Sequence, residues 1–372
     1  MIKLGIECLL ESQLDLLHNR RVGLVTHNAA VMPDLTHILD ALWSVDAPLT
    51  ALFAPEHGLS GAAVEGEKVG DTIDPRSGLP IYSLYGAEFT PSEAMLDAVD
   101  LFLFDMQDVG CRYFTYLSTL HYLLRTASQH HKSVIVLDRP NPITGTRIEG
   151  ALLPAKNFSF VGIAALPNRH GLTLGEAALW LNRGEAFPPA DLQVIAMQGW
   201  RRSMWFDQTG LYWVPASPAM AHLSAVTLYP GSCLLEGINV TLGRASALPF
   251  EVCAAPWLDG NLLAETMNRL GLPGIRFRPH SFIPFANVYA GQLCHGVQMH
   301  VTDRDALQPL HMGLELIAMI RHLFGEQMQF SPHFDRLAGE ARAKIEASES
   351  LESLAQEPEG YRASIQKFYL YE

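Results

Sequence analysis

The residues best equipped for chemistry begin at Glu56-His57-Gly58, where the apolar run Leu49–Ala54 breaks at Pro55. A glycine-punctuated loop follows and carries Glu65, Glu67, Lys68 and Asp71. A carboxyl group beside an imidazole at the end of a buried strand can move protons, and strand ends are where α/β proteins bind ligands. The same pair can also do no more than tie down a turn. Two further apolar runs end in acids: Leu101–Phe104 in Asp105-Met106-Gln107-Asp108, and Ser133–Leu137 in Asp138-Arg139-Pro140-Asn141. In a parallel sheet these three exits share one edge, so the acids are expected to converge there. Each also has a structural alternative: Asp108 as a helix cap, Asp138 as the partner of Arg139. Carboxylates with arginines and tyrosines suit acid/base work on a polar or anionic substrate. Glycoside hydrolysis needs one protonated carboxyl for the leaving oxygen. It also needs a second group, a carboxylate or the substrate's own N-acetyl oxygen, for the oxocarbenium-like centre. Arg112, Arg169 and Arg244 are candidates for two-point binding of a substrate carboxylate.

Alternating elements would position these residues. Val22–His27 reads as a first buried strand, followed by a helix capped by Asp34 with Leu35, Ile38, Leu39 and Leu42 at helical spacing. Leu79–Tyr85 is strand-like, and Thr90-Pro91-Ser92-Glu93 reads as a helix start, with Thr90 as the cap, proline in the first turn and Glu93 placed for a capping box. A helix with Tyr113, Leu117, Leu120 and Leu124 on its apolar stripe should put Arg112 and Tyr116 on a neighbouring face. Thr173-Leu174-Gly175-Glu176 is a capping box, and Leu192–Met197 can close the sheet. This alternation predicts an α/β fold with a mostly parallel sheet and helices on both faces. A change of domain is expected near 205–216, giving units 1–208 and 209–372. In the second unit, Glu236-Gly237-Ile238-Asn239 and Gly243-Arg244 set glycines beside polar residues, as at a tight turn or a ligand. Leu310–Phe324 reads as a helix stopped by Gly325, and 334–372 as two helical segments.

Composition removes several classes. The 372 residues carry a net charge of −13, which argues against nucleic acid as a partner. With 48% hydrophobic and 17% charged residues the chain can bury a large core. Five scattered cysteines form no C-x-x-C pair, so reduced, buried thiols are expected. The start, MIKLGIECLLES, has no sustained apolar stretch, and no run has membrane-spanning length, so a cytoplasmic protein without a membrane partner is expected. No G-x-G-x-x-G or Walker loop follows the first strand, and fifteen histidines show no ligand spacing. Neither cofactor nor metal is expected, and the oligomeric state stays open.

Taken in order, FAPEHGLSG, GEKVGD, GLPIYSLYG, FDMQDVGCRYFTYLSTL, LDRPNPITG, RHGLTLGEAA, SPAMAHLSAVTLYPG, LLEGINVTLGR and FDRLAG resemble the NamZ-type exo-β-N-acetylmuramidases, a bacterial family, from about Gly5 to the tail. The resemblance implies a Rossmann-like catalytic domain without a nucleotide and a smaller α+β C-terminal domain closing a cleft. It implies release of N-acetylmuramic acid from the non-reducing end of peptidoglycan fragments, a small-molecule disaccharide or muropeptide substrate. Glu56 becomes the general acid, and one of Asp105 and Asp108, with Tyr116, is expected to support the anomeric centre, the attacking water or the N-acetyl group. His57, Gln107, Arg112, Asp138, Arg139, Asn141, Arg169 and His170 are expected along the same edge, faced by Glu236, Asn239 and Arg244. Relatives often read S-P-N-M and E-G-T-N…G-R-G; Ala219, Ile238 and Ala245 depart from this, at positions expected to face the cleft.

Overall fold

The computed structural model describes residues 1–86 and 89–372. Seven strands make the larger sheet: β1 (Val22–Thr26), β2 (Leu49–Ala54), β3 (Thr72–Ile73), β4 (Pro80–Ser83), β5 (Leu101–Asp105), β6 (Ser133–Leu137) and β7 (Asp191–Ile195). Their order is β3-β4-β2-β1-β5-β6-β7, and all pairs are parallel except β3 with β4.

Strand β5 shows why the sheet is covered on both faces. Leu101 and Leu103 enter one apolar cluster with Ile6 and Leu9 of α1 (Gly5–Ser12) and Ile38 and Leu42 of α2 (Ile38–Trp43). Phe102 and Phe104 enter the other, with Leu96 of α3 (Glu93–Asp97), Leu117 and Leu120 of α4 (Tyr116–Gln129) and Ala177 of α5 (Leu174–Leu181). Side chains alternate along a strand, so a continuous apolar run buries both sides at once.

The smaller domain is an antiparallel sheet, ordered β8-β10-β9. Helix α6 (Leu223–Ser232) precedes β8 (Val252–Ala255), and α7 (Gly260–Arg269) packs on β9 (Ile275–Phe282) and β10 (Cys294–Val301). Helix α8 (Pro309–Phe324) crosses α6 at Gly313 and Gly231, where a Cβ on either would strike the other helix's backbone. The fold is thus a Rossmann-like, mostly parallel α/β sheet with a smaller α+β domain.

Several local expectations shift. Asp34 accepts from the Thr36 N–H instead of capping α2; His37 caps it, its Nδ1 accepting from the Leu39 N–H at 3.2 Å. Ser92, not Thr90, caps α3. Helix α4 starts at Tyr116, so Arg112 and Tyr113 precede it. The tail forms four short helices instead of two, α9 (Pro332–Ala338), α10 (Ala341–Glu346), α11 (Glu352–Ala355) and α12 (Tyr361–Ile365), before returning to the first sheet. There the Tyr371 hydroxyl donates to Asp138 Oδ2 at 2.6 Å and accepts from the Met197 N–H at 2.9 Å.

Candidate active site

Between the loop that follows β2 and the segment 217–250 lies a cavity of about 430 Å³, a size suited to a sugar ligand. Glu56 lines it, 8% exposed, with both carboxyl oxygens held. Oε1 accepts from the Gly66 N–H at 3.0 Å and Oε2 from the Thr115 hydroxyl at 2.7 Å. The hydroxyl can donate to a carboxylate or accept from a carboxylic acid, so this contact survives either protonation state. His57 follows with φ +74°, a left-handed turn that swings the chain away from the sheet. Its Nδ1 faces the Ala63 carbonyl at 2.8 Å, which places the ring in the cavity wall in one fixed orientation.

Across the cavity stand Glu236 and Arg244. The Arg244 Nε donates to Glu236 Oε1 at 2.7 Å, and the guanidinium lies over the Phe250 ring, 4.6 Å from its centroid. Tyr85, Phe89 and Phe160 make an aromatic side wall, with the Phe89 and Phe160 rings stacked at 4.0 Å. Burial and the neighbouring Glu56 push the Tyr85 phenol up to about 12, so it is a proton-bearing donor at neutral pH.

The other two acid-bearing strand ends do not open here. Asp105 is fully buried and held by Arg139 through Nε and Nη2, while Arg139 Nη1 donates to the Val31 carbonyl. Gln107 donates to the Asp108 and Pro140 carbonyls. Asp138 accepts from the Arg139 and Gly175 N–H groups and the Thr173 and Tyr371 hydroxyls, with burial pushing its carboxyl to about 7 against those donors. Where the strand order reverses, between β1 and β5, an open α/β sheet usually binds its ligand. Here Gln107, Arg139, Phe206 and Leu211 close that crevice to about 10 Å³.

Tyr116 is also withdrawn. Its hydroxyl donates to the Ala216 carbonyl at 2.6 Å and meets His27 Nδ1 at 3.2 Å. His27 Nε2 accepts from the Gln107 N–H, which fixes the proton on Nδ1, and burial lowers this imidazole to about 3. Asp108 accepts from the Gly110 N–H at 2.7 Å, its second oxygen has no partner, and burial pushes it to about 7. His170 Nε2 lies 3.9 Å away, too far for a hydrogen bond, with its ring lowered to about 3 by burial. Arg112 donates to the Ala151, Leu166 and Leu337 carbonyls, and Arg169 pairs with Glu149. Asn141 bridges Leu172 and Ile143, and Asn239 bridges Gln327 and Gln329. The structure therefore brings Glu56, His57, Glu236 and Arg244 together on the cavity; it uses the remaining expected site residues inside the protein, except Asn239, which is half-buried and holds the 327–329 segment near the surface.

Thr115, Tyr85, Tyr229, Phe250, Asn287 and His333 line the cavity without having been singled out from sequence as site residues. Thr115 had a signal only in hindsight, as the residue before α4. Of the three family departures only Ile238 lines the cavity; Ala219 and Ala245 are buried away from it. Among the described residues no three or more His, Cys, Asp or Glu side chains are grouped to hold a metal, and no helix is long and apolar enough to cross a membrane.

Two family models described as exo-beta-N-acetylmuramidase NamZ match, the N-terminal over residues 22–224 and the C-terminal over 227–371. The peptidoglycan beta-N-acetylmuramidase NamZ of Bacillus subtilis (strain 168) is 42% identical over 372 residues, covering 99% of this chain and 89% of the relative. Two crystal structures of DUF1343 family proteins from Bacteroides fragilis NCTC 9343 superpose on the whole chain and 99% of their own. One has a TM-score of 0.89 at 34% identity, the other 0.81 at 27%.

Proposed function

The chain belongs to the exo-β-N-acetylmuramidase family, and from that premise we propose that it releases N-acetylmuramic acid from the non-reducing end of peptidoglycan fragments, with Glu56 as the general acid. The observation that carries the assignment of Glu56 is its place: a carboxyl fixed on both oxygens in the wall of the sugar-sized cavity, facing the segment that carries Arg244. Glu56 gives its proton to the glycosidic oxygen as the bond to the anomeric carbon breaks and the leaving oxygen takes the electron pair.

The second group is the substrate's own N-acetyl oxygen. Besides Glu56, the carboxylates on the described wall are Glu65 and Glu236, and both are engaged with Arg244. The acetamido oxygen closes on the anomeric carbon, and water then opens the ring, returning a proton to Glu56 and retaining configuration. Arg244 binds the lactyl carboxylate of the muramic sugar. We place this work on recycled fragments in the cytoplasm, a reading supported by five buried cysteines that form no disulfide. Incubation with the disaccharide N-acetylmuramic acid–β-1,4–N-acetylglucosamine, read by mass spectrometry beside Glu56→Gln, is the test. Free N-acetylmuramic acid from the wild type alone supports the reading; an intact but bound disaccharide would make the protein a sugar-binding protein instead.

A further inference from the structure

We propose that Arg244 forms a carboxylate subsite that Glu65 occupies until the carboxylate of the substrate replaces it. Among the described residues that line the cavity, Arg244 is the one lysine or arginine, set against Glu56, Glu65 and Glu236. The two acids nearest it are held differently. Glu236 takes the Nε and Nη2 donors with one oxygen, a direct charge-assisted contact. Glu65 Oε2 stands 3.7 Å from Nη1, beyond hydrogen-bond length, while its Oε1 accepts from Asn287 Nδ2 at 3.1 Å. Nη1 is therefore the guanidinium donor group still open to a ligand, and Glu65 screens it. An anionic sugar arriving with Glu65 in place meets three acids and one cation. With Glu65 turned out, it meets a cation whose remaining donors point at it.

Glu65 is built to leave. Its side chain is 40% exposed, and the next residue, Gly66, sits at φ +73° with nothing within 4 Å of where a Cβ would be. A glycine there lets the loop turn at low cost. Glu236, on the short helical turn Cys233–Gly237 packed against α9, has no such freedom. The Gly66 N–H also donates to Glu56 Oε1, so the residue that screens the cation adjoins the one that positions the acid.

The inference rests on the muramidase reading for the identity of the anion. The test is Glu65→Gln, which removes the charge and keeps an acceptor for Asn287. Kinetics are measured on the disaccharide and on its lactyl methyl ester, which is uncharged. The KM for the acid should fall roughly three- to ten-fold, while the ester changes less than about two-fold. Arg244→Met should raise KM for the acid selectively and cancel the gain of Glu65→Gln in the double variant, because the effects act through one contact. Equal changes on both substrates, or none on the acid, overturn the proposal and make Glu65 a plain link between the two cavity walls. Calorimetry of N-acetylmuramic acid against N-acetylglucosamine separates this from the reaction. A preference for the acid sugar that Glu65→Gln strengthens, in a protein that turns nothing over, keeps the subsite and removes the muramidase reading. Turnover without that preference removes the subsite alone.

Discussion

Glu56 and Thr115 act as one unit, and substituting each should separate chemistry from binding. Glu56→Gln keeps acceptors and shape but has no acidic proton. Its kcat should fall roughly 10²- to 10⁴-fold with melting temperature nearly unchanged, as steady-state kinetics and calorimetry would show. Thr115→Val removes the hydroxyl on Oε2 and leaves the carboxyl held through Oε1 alone. A loss of about ten-fold in kcat with little change in KM is expected, since a misplaced acid weakens the transition state more than the ground state. Asp108 should behave oppositely. Burial raises its folded pKa to about 7 from an ordinary value of 3.8. The folded state then binds more protons between those values, so its stabilising contribution is complete below about pH 4 and is lost as pH rises towards 7. Asp108→Asn should abolish that fall, and its melting temperature should gain on the wild type from pH 4.5 to 7.5. A matching loss of kcat at all pH values would return Asp108 to the reacting centre.

The strands explain both what sequence could reveal and where it stopped. Apolar runs at β1, β2, β5 and β6 were legible because buried parallel strands have no polar face to show. That Glu56, Asp105 and Asp138 end three of them was legible too. Which exit stays open was not, because it depends on partners far along the chain: Arg139 on Asp105, Tyr371 on Asp138, and Phe206 and Leu211 across the crevice. The start of α4 was misread for a similar reason. Tyr113 has helical spacing and is buried, but Cys111 bridges to Arg169 and the Arg112 N–H donates to the Asn168 carbonyl, which pulls the backbone out of the helix. The Asp105–Arg139 pair should therefore matter to stability and not to turnover. Arg139→Met strands a buried carboxylate and should cost about 3–5 kcal/mol in denaturant unfolding, with kcat/KM of the folded fraction intact. A large kcat/KM loss in well-folded protein would instead tie the strand-end pair to catalysis.

At the scale of the whole molecule, the two ends of the chain meet just past the carboxyl ends of β6 and β7, on residues that do not line the cavity. The Gly5 N–H donates to the Asp138 carbonyl, and Lys3 pairs with Gln198 in a short bridge. The last residues cover the same region from the other side: the Leu370 N–H donates to Glu176, Tyr369 lies under the Arg202 guanidinium, and Tyr371 joins Asp138 to Met197. Glu176, which opens α5 through its capping box with Thr173, also pairs with Arg202. The tail is thus a clamp that ties the smaller domain's end to the seven-stranded sheet and completes the hydrogen bonds of two buried acids. Truncation after Gln366 should remove it without touching any cavity residue. Asp138 and Glu176 each lose a donor, and hydrogen bonds to charged groups are worth roughly 1.5–3 kcal/mol apiece, so about 3 kcal/mol or more of stability should go. The expected result is a lower melting temperature with KM for the disaccharide unchanged at 25 °C. A truncated protein that stays as stable as the full chain would show that the buried acids find other partners. One that stays folded but loses its KM would show that the clamp sets the distance between the cavity's two walls.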